Sequence, residues 1–311
     1  MSLLHTTLEE YLTLRRALGF QLKTVGRSLH QFVCFAEAQG AAFITTELAL
    51  RWATQPVKVL LVHWAHRLSM VRQFAEYCSA VDPRTEIPSQ RLLPYRYVRQ
   101  PPYLYSDDEI RHLLQAARQL PSKRGLRPQT YATLFGLLAV SGMRLGETLA
   151  IDRQDVDLPQ ALITIRYAKG QKARLVPIHH STVRALEQYT AWRDRLLPAP
   201  TTPSFFLCER GVRLSQWAVR NTFVQLSRQI GLRGPTDSHG PRLHDLRHTF
   251  ALRTLLNWYR SGVDVERRLP ELATYLGHVH VSDTYWYLSA SPELLRLAMQ
   301  RLKSTTTGDE S

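Results

Sequence analysis

The sequence predicts a mainly α (α+β) protein with an all-α N-terminal domain and an α-rich second domain that contains a small antiparallel sheet. Apolar residues recur at helical spacing along most of the 311 residues, and the spacing changes to a period of two at 161–178. The segment 83–102 has five prolines and little periodicity, which is typical of a domain boundary. A chain of this length can bury two separate cores. The predicted parts are an N-terminal helical domain at 1–95, a linker at 96–102, a second domain at 103–303 and a polar tail at 304–311.

Four helices are predicted in the N-terminal domain. Thr7 and Glu10 have the spacing of a capping box, and the apolar stripe that follows ends near Gly19. Arg67 and Arg72 lie on outer positions of the fourth helix, where they either contact a nucleic-acid backbone or form only a solvated face. The other three helices are expected at about 25–39, 46–54 and 59–80.

The second domain is predicted to contain a helix break that exposes an arginine. Ser106 and Glu109 form a capping box for the first helix of this domain. Further along, Gly142 ends one helix and another starts near Leu145. Because Arg144 lies at this break, its side chain can project from a helix junction into a cleft.

The period of two predicts a β-hairpin after this junction. The alternating residues of its first strand end at Tyr167, and the second strand is expected at 173–178. Lys169 lies in the tight loop AKGQK, at the rim of the hairpin. The remaining predicted elements are a candidate third strand at 205–208, helices at about 128–141, 181–196, 215–230 and 244–260, a short helix that starts at Pro270, and a last amphipathic helix at 292–303.

The charge predicts a polyanionic partner. The net charge is +14 and the pI is near 10, which favours nucleic acid over a basic protein that has no such partner. The three cysteines, Cys34, Cys78 and Cys208, are far apart and lack CxxC spacing, so we expect reduced, mostly buried thiols in a cytoplasmic protein. No apolar run reaches membrane-spanning length and no signal-peptide core is present at the start, so no membrane partner is expected.

A group of polar residues between His244 and Tyr287 could hold and attack a phosphodiester. His244, Arg247 and His248 share one face of a predicted helix. Arginine presents a planar fork that matches two phosphate oxygens, and histidine exchanges a proton near neutral pH. Each residue alone is more often structural or a solvated surface residue.

A zinc site is the alternative explanation for the several histidines in this part of the sequence. His278 and His280, together with the histidines of the preceding helix, could in principle bind zinc. Arg247 would be a poor neighbour for a dication, no HExxH sequence is present, and the cysteines are badly spaced. We therefore expect no metal and no cofactor at this site.

Five motifs in order resemble those of the tyrosine recombinase (phage integrase) family. They are SGMRLGE around Arg144, AKGQKARLVPI around Lys169, HDLRH from His244, LGH ending at His278, and a tyrosine nine residues after that histidine. The resemblance covers the second domain from about Tyr103 to Lys303. The N-terminal domain is similar in size and position to the core-binding domain of this family, but no specific motif supports it. The abundance of aromatic residues in TYWYL resembles members carried by mobile elements.

The resemblance implies a role for each candidate residue. Tyr287 would attack the scissile phosphate and form a 3′-phosphotyrosyl enzyme. Arg144 and Arg247 would clamp the non-bridging oxygens, and Lys169 would protonate the leaving 5′-oxygen. The other implied roles are proton transfer at the nucleophile for His244, donation to the phosphate for His278, support of these groups for Glu147 and His248, and DNA contact for Arg67, Arg72, Arg96 and Arg99.

The physical chemistry of the site agrees with these roles. A phenol has a pKa near 10 and is a weak nucleophile at neutral pH, so it needs a base or a strong positive field. Two arginines and a lysine supply such a field and stabilise the charge that builds in the transition state. The covalent bond conserves the phosphodiester, so religation needs neither a metal nor ATP.

Three features depart from the family pattern or leave a choice open. Tyr275 and Tyr285 are rival nucleophiles, although their positions suggest packing within a helix and a different face, respectively. The segment 258–270 is longer than the usual link between HTFA and LGH. Ala168 precedes Lys169 where many members have glycine, which affects the expected hairpin geometry.

We expect a bacterial, nucleoid-associated site-specific recombinase that integrates, excises or transposes a mobile element. Double-stranded DNA is the expected partner, with a homotetramer on two sites through the 292–303 helix, alone or beside sister recombinases. That helix could instead pack within its own chain. The alternatives are a chromosome-dimer resolvase, a topoisomerase IB-like enzyme, and a catalytically silent DNA-binding protein of the same fold.

Overall fold

The structure, a computed structural model, describes residues 2–95, 101–166, 173–289, 293–297 and 299–300. The chain divides into two compact units, Met1–Gln100 and Pro101–Ser311. Most of the predicted linker and the whole hairpin loop around Lys169 lie outside the described residues.

The first unit is built from four helices. They are α1 (Leu3–Ala17), α2 (Lys23–Ala38), α3 (Thr46–Thr54) and α4 (Leu61–Cys78). Each buries one apolar stripe, and Leu8, Phe32, Trp52 and Phe74 fill the centre of the unit. The predicted start of α1 was wrong, because Ser2 is the N-cap, and the Thr7 hydroxyl instead donates to the carbonyl of Leu3.

Within the described residues, the second unit contains eight longer helical elements, a short 3-10 turn at 153–155, a helical segment at 293–297 and a small sheet. The elements are α5 (Asp107–Arg118), α6 (Leu126–Ser141), α7 (Leu145–Ala150), β1 (Val156–Asp157), β2 (Leu162–Ile165), β3 (Arg174–Pro177), α8 (His180–Leu196), α9 (Gln216–Gln229), α10 (Leu243–Arg260), α11 (Val265–Leu276) and α12 (Ser282–Ser289). The predicted fold class is therefore confirmed: the protein is mainly helical with a small antiparallel sheet. Helix α6 is central and packs against α5, α8 and α10.

The sheet has the order β1-β2-β3, with both pairs antiparallel. Ile163 and Ile165 alternate into the core, as the period of two predicted. The prediction of a third strand at 205–208 was wrong, because the strand that completes the sheet beside β2 and β3 is β1. Residues Phe205 and Phe206 instead pack their rings against Tyr189, and this aromatic contact explains their apolar sequence.

The helices around the candidate site share their own apolar cluster. Leu255, Leu269, Leu272 and Leu294 are all buried in it, and they join α10, α11 and the helical residues 293–297. The predicted helix start at Pro270 was wrong, since α11 begins five residues earlier. Asp264 is its N-cap and accepts a hydrogen bond from the backbone nitrogen of Arg267. The long segment 258–270 is therefore mostly helix.

The cysteines are free thiols in different environments. Cys78 is buried, and burial raises the pKa of its thiol to about 12. Cys208 is half-buried and Cys34 is exposed, so one of the three thiols is buried, whereas mostly buried thiols were expected. Among the described residues, no helix combines the length and the apolar character that crossing a bilayer requires.

Candidate active site

Arg144 lies at the break between two helices, where the sequence predicted it. Gly142 ends α6 with a φ of +61°, a conformation that favours glycine, and a Cβ there would lie 2.5 Å from the Phe250 ring. Arg144 is the N-cap residue of α7 in extended conformation, so its side chain leaves the helix axis. Its Nη1 donates to Glu147 Oε1 at 2.7 Å and its Nη2 to the carbonyl of Gly277 at 2.8 Å. The guanidinium keeps donors that these two bonds do not use.

Arg247 reaches the same place from α10. Its side chain is only 2% exposed, and it donates to the carbonyls of Gly142 at 2.9 Å and Leu276 at 2.7 Å. Burial and then the charge of Arg144 lower the pKa of Arg247 to about 10, so it remains protonated at neutral pH. The two guanidiniums thus bond to adjacent carbonyls at the C-terminus of α11. An anion that bridges them would relieve their mutual repulsion.

Glu147 supports Arg144 from the buried side of the site. Its carboxylate is 6% exposed and also accepts from Arg174 Nη2 at 2.7 Å. Burial alone would raise the pKa of Glu147, but the hydrogen bonds and charges of Arg174 and Arg144 outweigh it and lower the pKa. Arg174 was missed as a site residue, although it belongs to the motif AKGQKARLVPI.

Tyr287 is buried in α12 beside a histidine. It is 2% exposed, and its hydroxyl lies 3.0 Å from His248 Nδ1. Of the rival tyrosines, Tyr275 stacks on Phe250 with ring centroids 5.6 Å apart, and Tyr285 is exposed. Tyr287 is therefore the tyrosine that lies among the other candidate residues, which supports its prediction as the nucleophile.

His278 lies beside Tyr287 and within the electrostatic field of the arginine pair. Its ring stacks on that of Tyr287 at 6.2 Å, and its Nδ1 lies 2.7 Å from the Thr284 hydroxyl oxygen. Burial, followed by the charges of Arg247 and Arg144, lowers the pKa of His278 to about 4. The ring is therefore neutral at pH 7. If the Thr284 hydroxyl donates to Nδ1, then Nε2 carries the hydrogen and can donate to a ligand.

His244 is also neutral but more open to solvent. Its ring makes an edge-on contact with His248, with centroids 4.6 Å apart. Part of the residue is exposed to solvent, but the protein surrounds most of its imidazole ring. This burial and the charge of Arg247 lower its pKa to about 4. A neutral imidazole at this position can accept a proton, and a bound phosphate would raise its pKa and make it a stronger base.

The predicted DNA contacts are only partly described. Arg67 lies over the Trp52 indole, with its Cζ 3.6 Å from the ring centroid, and donates to the carbonyl of Trp52. Arg72 pairs with Glu76 one helical turn along α4. These contacts occupy part of each guanidinium, and DNA binding by both residues stays a prediction. Lys169, Arg96 and Arg99 lie outside the described residues.

This arrangement defines a class of site. Arg144 and Arg247 bond to adjacent carbonyls at the end of α11, their charges act on the neutral rings of His244 and His278, and Tyr287 stacks on His278. Such a set can bind a phosphodiester through fixed cations and present a hydroxyl to its phosphorus atom. The fold and the site together are those of an enzyme that transfers DNA strands through a tyrosine.

Comparisons with known proteins agree with this class. The model of the phage integrase family matches residues 104–293. The inferred integrase/recombinase y4rB of Sinorhizobium fredii is 51% identical over 307 residues, which cover 97% of this chain and 98% of that protein. The Tn1549 transposon integrase, solved in complex with transposon right end DNA, matches with a TM-score of 0.65 and 14% identity over 97% of this chain and 100% of that chain. A lambda integrase tetramer bound to a Holliday junction matches with a TM-score of 0.58 and 17% identity over 89% of this chain and 77% of that chain.

The chain belongs to the phage integrase family. The matched residues include all five motifs, from SGMRLGE to Tyr287, so the family predicted from those motifs is confirmed.

Proposed function

We propose that this DNA strand-transferring recombinase acts at specific sites and moves a mobile element by integration, excision or transposition. One observation carries the chemistry: Arg144, Arg247, His278 and Tyr287 converge at the end of α11. The 51% identity to the inferred integrase/recombinase y4rB over nearly the whole chain supports the biological role.

In the proposed reaction, the non-bridging oxygens of the scissile phosphate accept hydrogen bonds from Arg144 and Arg247. The Tyr287 oxygen attacks phosphorus, and the bond from phosphorus to the 5′-oxygen of the next nucleotide breaks. A 3′-phosphotyrosyl bond forms, and the leaving oxygen takes a proton from Lys169. The reverse reaction with a 5′-hydroxyl of another strand frees Tyr287 and completes strand exchange without ATP.

The phenolic proton needs an acceptor near Tyr287. The resemblance assigns this step to His244, but His248 Nδ1 is the atom 3.0 Å from the Tyr287 hydroxyl. The rings of the two histidines touch, so we propose that His248 holds the phenol in the free protein and that His244 receives its proton directly, once bound DNA draws the Tyr287 hydroxyl from His248 toward it. His248→Ala and His244→Ala are then both expected to slow cleavage, and only loss of His244 should change its dependence on pH.

The C-terminal helix is proposed to join neighbouring protomers on DNA. Leu294 is buried against the cluster of α10 and α11, and Glu293 pairs with Arg260 at 2.6 Å. Leu295 and Met299 point to solvent on the described part of the helix. These two apolar side chains are available to a second copy, and the lambda integrase tetramer supports an assembly of four copies on DNA. We expect a tetramer on two sites, alone or with sister recombinases, acting on the bacterial nucleoid in the cytoplasm.

The proposal is tested by trapping the covalent intermediate. The full-length protein is incubated with a library of nicked duplexes, and adducts are separated on a denaturing gel and sequenced. The wild type is expected to form adducts in the presence of EDTA, and Tyr285→Phe is expected to form them as well. Tyr287→Phe, which removes one oxygen from the same helix, is expected to form none.

Each contrary result points to an alternative. Adducts that persist in Tyr287→Phe and vanish in Tyr285→Phe would overturn the choice of nucleophile. Adducts without strand exchange would favour a topoisomerase IB-like enzyme, and exchange confined to a chromosomal site would favour a chromosome-dimer resolvase. The absence of any adduct with DNA that the protein binds would indicate a silent DNA-binding protein, and a requirement for metal would contradict the mechanism.

A further inference from the structure

Three arginines bond to three consecutive carbonyls at the C-terminal end of α11. The carbonyl of Tyr275 accepts from Arg174 Nε at 2.8 Å, that of Leu276 from Arg247 Nη2 at 2.7 Å, and that of Gly277 from Arg144 Nη2 at 2.8 Å. The proposed function uses two of these arginines on the phosphate. The third, Arg174, has no role in it.

Arg174 is unable to touch DNA in this arrangement. Its side chain is 9% exposed, and its Nη1 is buried without a hydrogen-bond partner among the described residues. A Cβ added at Gly277 would lie 2.6 Å from this Nη1, so the guanidinium is packed directly against the backbone of the LGH motif. Any effect of Arg174 on the reaction must therefore pass through the groups that it holds.

The group that Arg174 shares with the phosphate clamp is the Glu147 carboxylate. Oε1 accepts from Arg144 Nη1 at 2.7 Å, and Oε2 accepts from Arg174 Nη2 at 2.7 Å. An arginine and a carboxylate prefer a forked pair in which both oxygens bond to the same guanidinium. Glu147 is three residues after Arg144, and its Oε2 is already 3.3 Å from the Arg144 backbone nitrogen, so such a fork is within reach. Arg174 occupies the oxygen that this fork would need.

We propose that Arg174 is a positioning residue that keeps Glu147 from pairing with Arg144 through both oxygens. With Oε2 held by Arg174, Arg144 bonds to Glu147 through one nitrogen and keeps its other donors for the phosphate. The bond from Arg174 Nε to the Tyr275 carbonyl fixes this arrangement to α11. The inference rests on the proposed function, because the phosphate is the ligand for which Arg144 is kept free.

The carboxylate makes this role testable by double substitution. Arg174→Met removes the cation but keeps the length and apolar contacts of the side chain, and it leaves Glu147 free to form the fork with Arg144. Glu147→Gln in the same chain removes the charge that drives the fork. If Arg174 acted only as packing, the second substitution would add damage and could not restore the rate.

The experiment measures covalent-adduct formation in a single turnover, at saturating protein, on a nicked duplex recovered from the wild-type adducts. Arg174→Met is expected to slow adduct formation by about 10²-fold, as a misplaced clamp does. Its affinity for DNA should stay within about threefold of the wild type, because Arg174 does not touch DNA. The double variant Arg174→Met/Glu147→Gln is expected to be at least about tenfold faster than Arg174→Met alone.

The possible failures are distinct. A double variant as slow as Arg174→Met, or an Arg174→Met variant as fast as the wild type, would overturn the positioning role while the recombinase function stands. If the wild type forms no adduct with any duplex, the proposed function fails and this inference fails with it. If Arg174→Met does not fold, Arg174→Lys keeps the buried charge without the planar fork, and the same comparison with and without Glu147→Gln decides the question.

Discussion

Gly277 offers a direct test of how closely the arginine cluster is packed. Its φ is +68°, and a Cβ would lie 2.6 Å from Arg174 Nη1, 2.9 Å from Arg174 Cζ and 3.3 Å from Arg144 Nη1. Ordinary contact begins at 3.4 Å, so the Arg174 guanidinium would have to retreat by at least 0.8 Å, the difference between 3.4 and 2.6 Å. A retreat of this size in Gly277→Ala would lengthen the hydrogen bonds of Arg174 to Glu147 (2.7 Å) and to the Tyr275 carbonyl (2.8 Å) to about the limit for a hydrogen bond.

The control for this variant is Gly262→Ala. Gly262 has a φ of +74°, and nothing lies within 4 Å of the position of its Cβ. Both variants carry the strain of a left-handed alanine, about 1–2 kcal/mol, but only Gly277→Ala adds displacement of a charged hydrogen-bonded group, about 1–3 kcal/mol. Gly277→Ala is thus expected to unfold about 2–12 °C below Gly262→Ala in a thermal scan, for a domain of this size.

The functional effect is expected to be larger than the thermal one. A shift of about 1 Å in a positioning group costs about 10²-fold in rate, so adduct formation by Gly277→Ala should fall by about that factor. Gly262→Ala should remain near the wild-type rate when both are measured at a temperature where each is folded. Equal rates for the two variants would refute the reasoning, because the clash at Arg174 would then have no consequence for the site.

Three further predictions concern other parts of the molecule. Burial and nearby arginines lower the pKa of His278 to about 4, from an unfolded value near 6.5. Between these two values the unfolded state binds more protons than the folded state, so the free energy of unfolding should rise with pH across that window. His278→Ala should flatten this rise in urea titrations. Arg67→Ala removes the contact with Trp52, so it should destabilise the protein by about 1–3 kcal/mol; an unchanged stability with a lower salt dependence of DNA binding would instead identify Arg67 as a phosphate contact. Iodoacetamide should label the exposed Cys34 well before Cys78, whose raised pKa keeps it a thiol, and mass spectrometry of the native protein would reveal the opposite order.

The sequence was informative where local signals and tertiary structure agree. Gly142 had to end α6, because the backbone there is left-handed and the Phe250 ring leaves no space for a Cβ, so the position of Arg144 followed from the break. The capping box of Ser106 and Glu109 was also confirmed, because both partners lie within one helical turn and the motif needs no distant contact.

Other features depended on contacts that no local pattern contains. Pro270 looked like a helix start, but Asp264 supplies the cap and the proline sits inside α11. The Phe205 ring packs on Tyr189 from another element, so an apolar run that resembled a strand belongs to the core but does not pair with the strands of the sheet. Arg174 could not be assigned from its motif, because its partners lie 27 residues away at Glu147 and 101 residues away at Tyr275.

The C-terminus of α11 explains why three positive charges can be held together before DNA arrives. The last carbonyls of a helix lack partners within the helix and carry the negative end of its dipole. Here the carbonyls of residues 275–277 each accept from one arginine, and the left-handed Gly277 turns the chain so that His278 follows at once. The helix end thus offsets part of the repulsion among the arginines and fixes their directions. Because the helix end fixes these donors, a phosphate that binds there would meet groups already in place, which is the condition under which hydrogen bonds stabilise a transition state well.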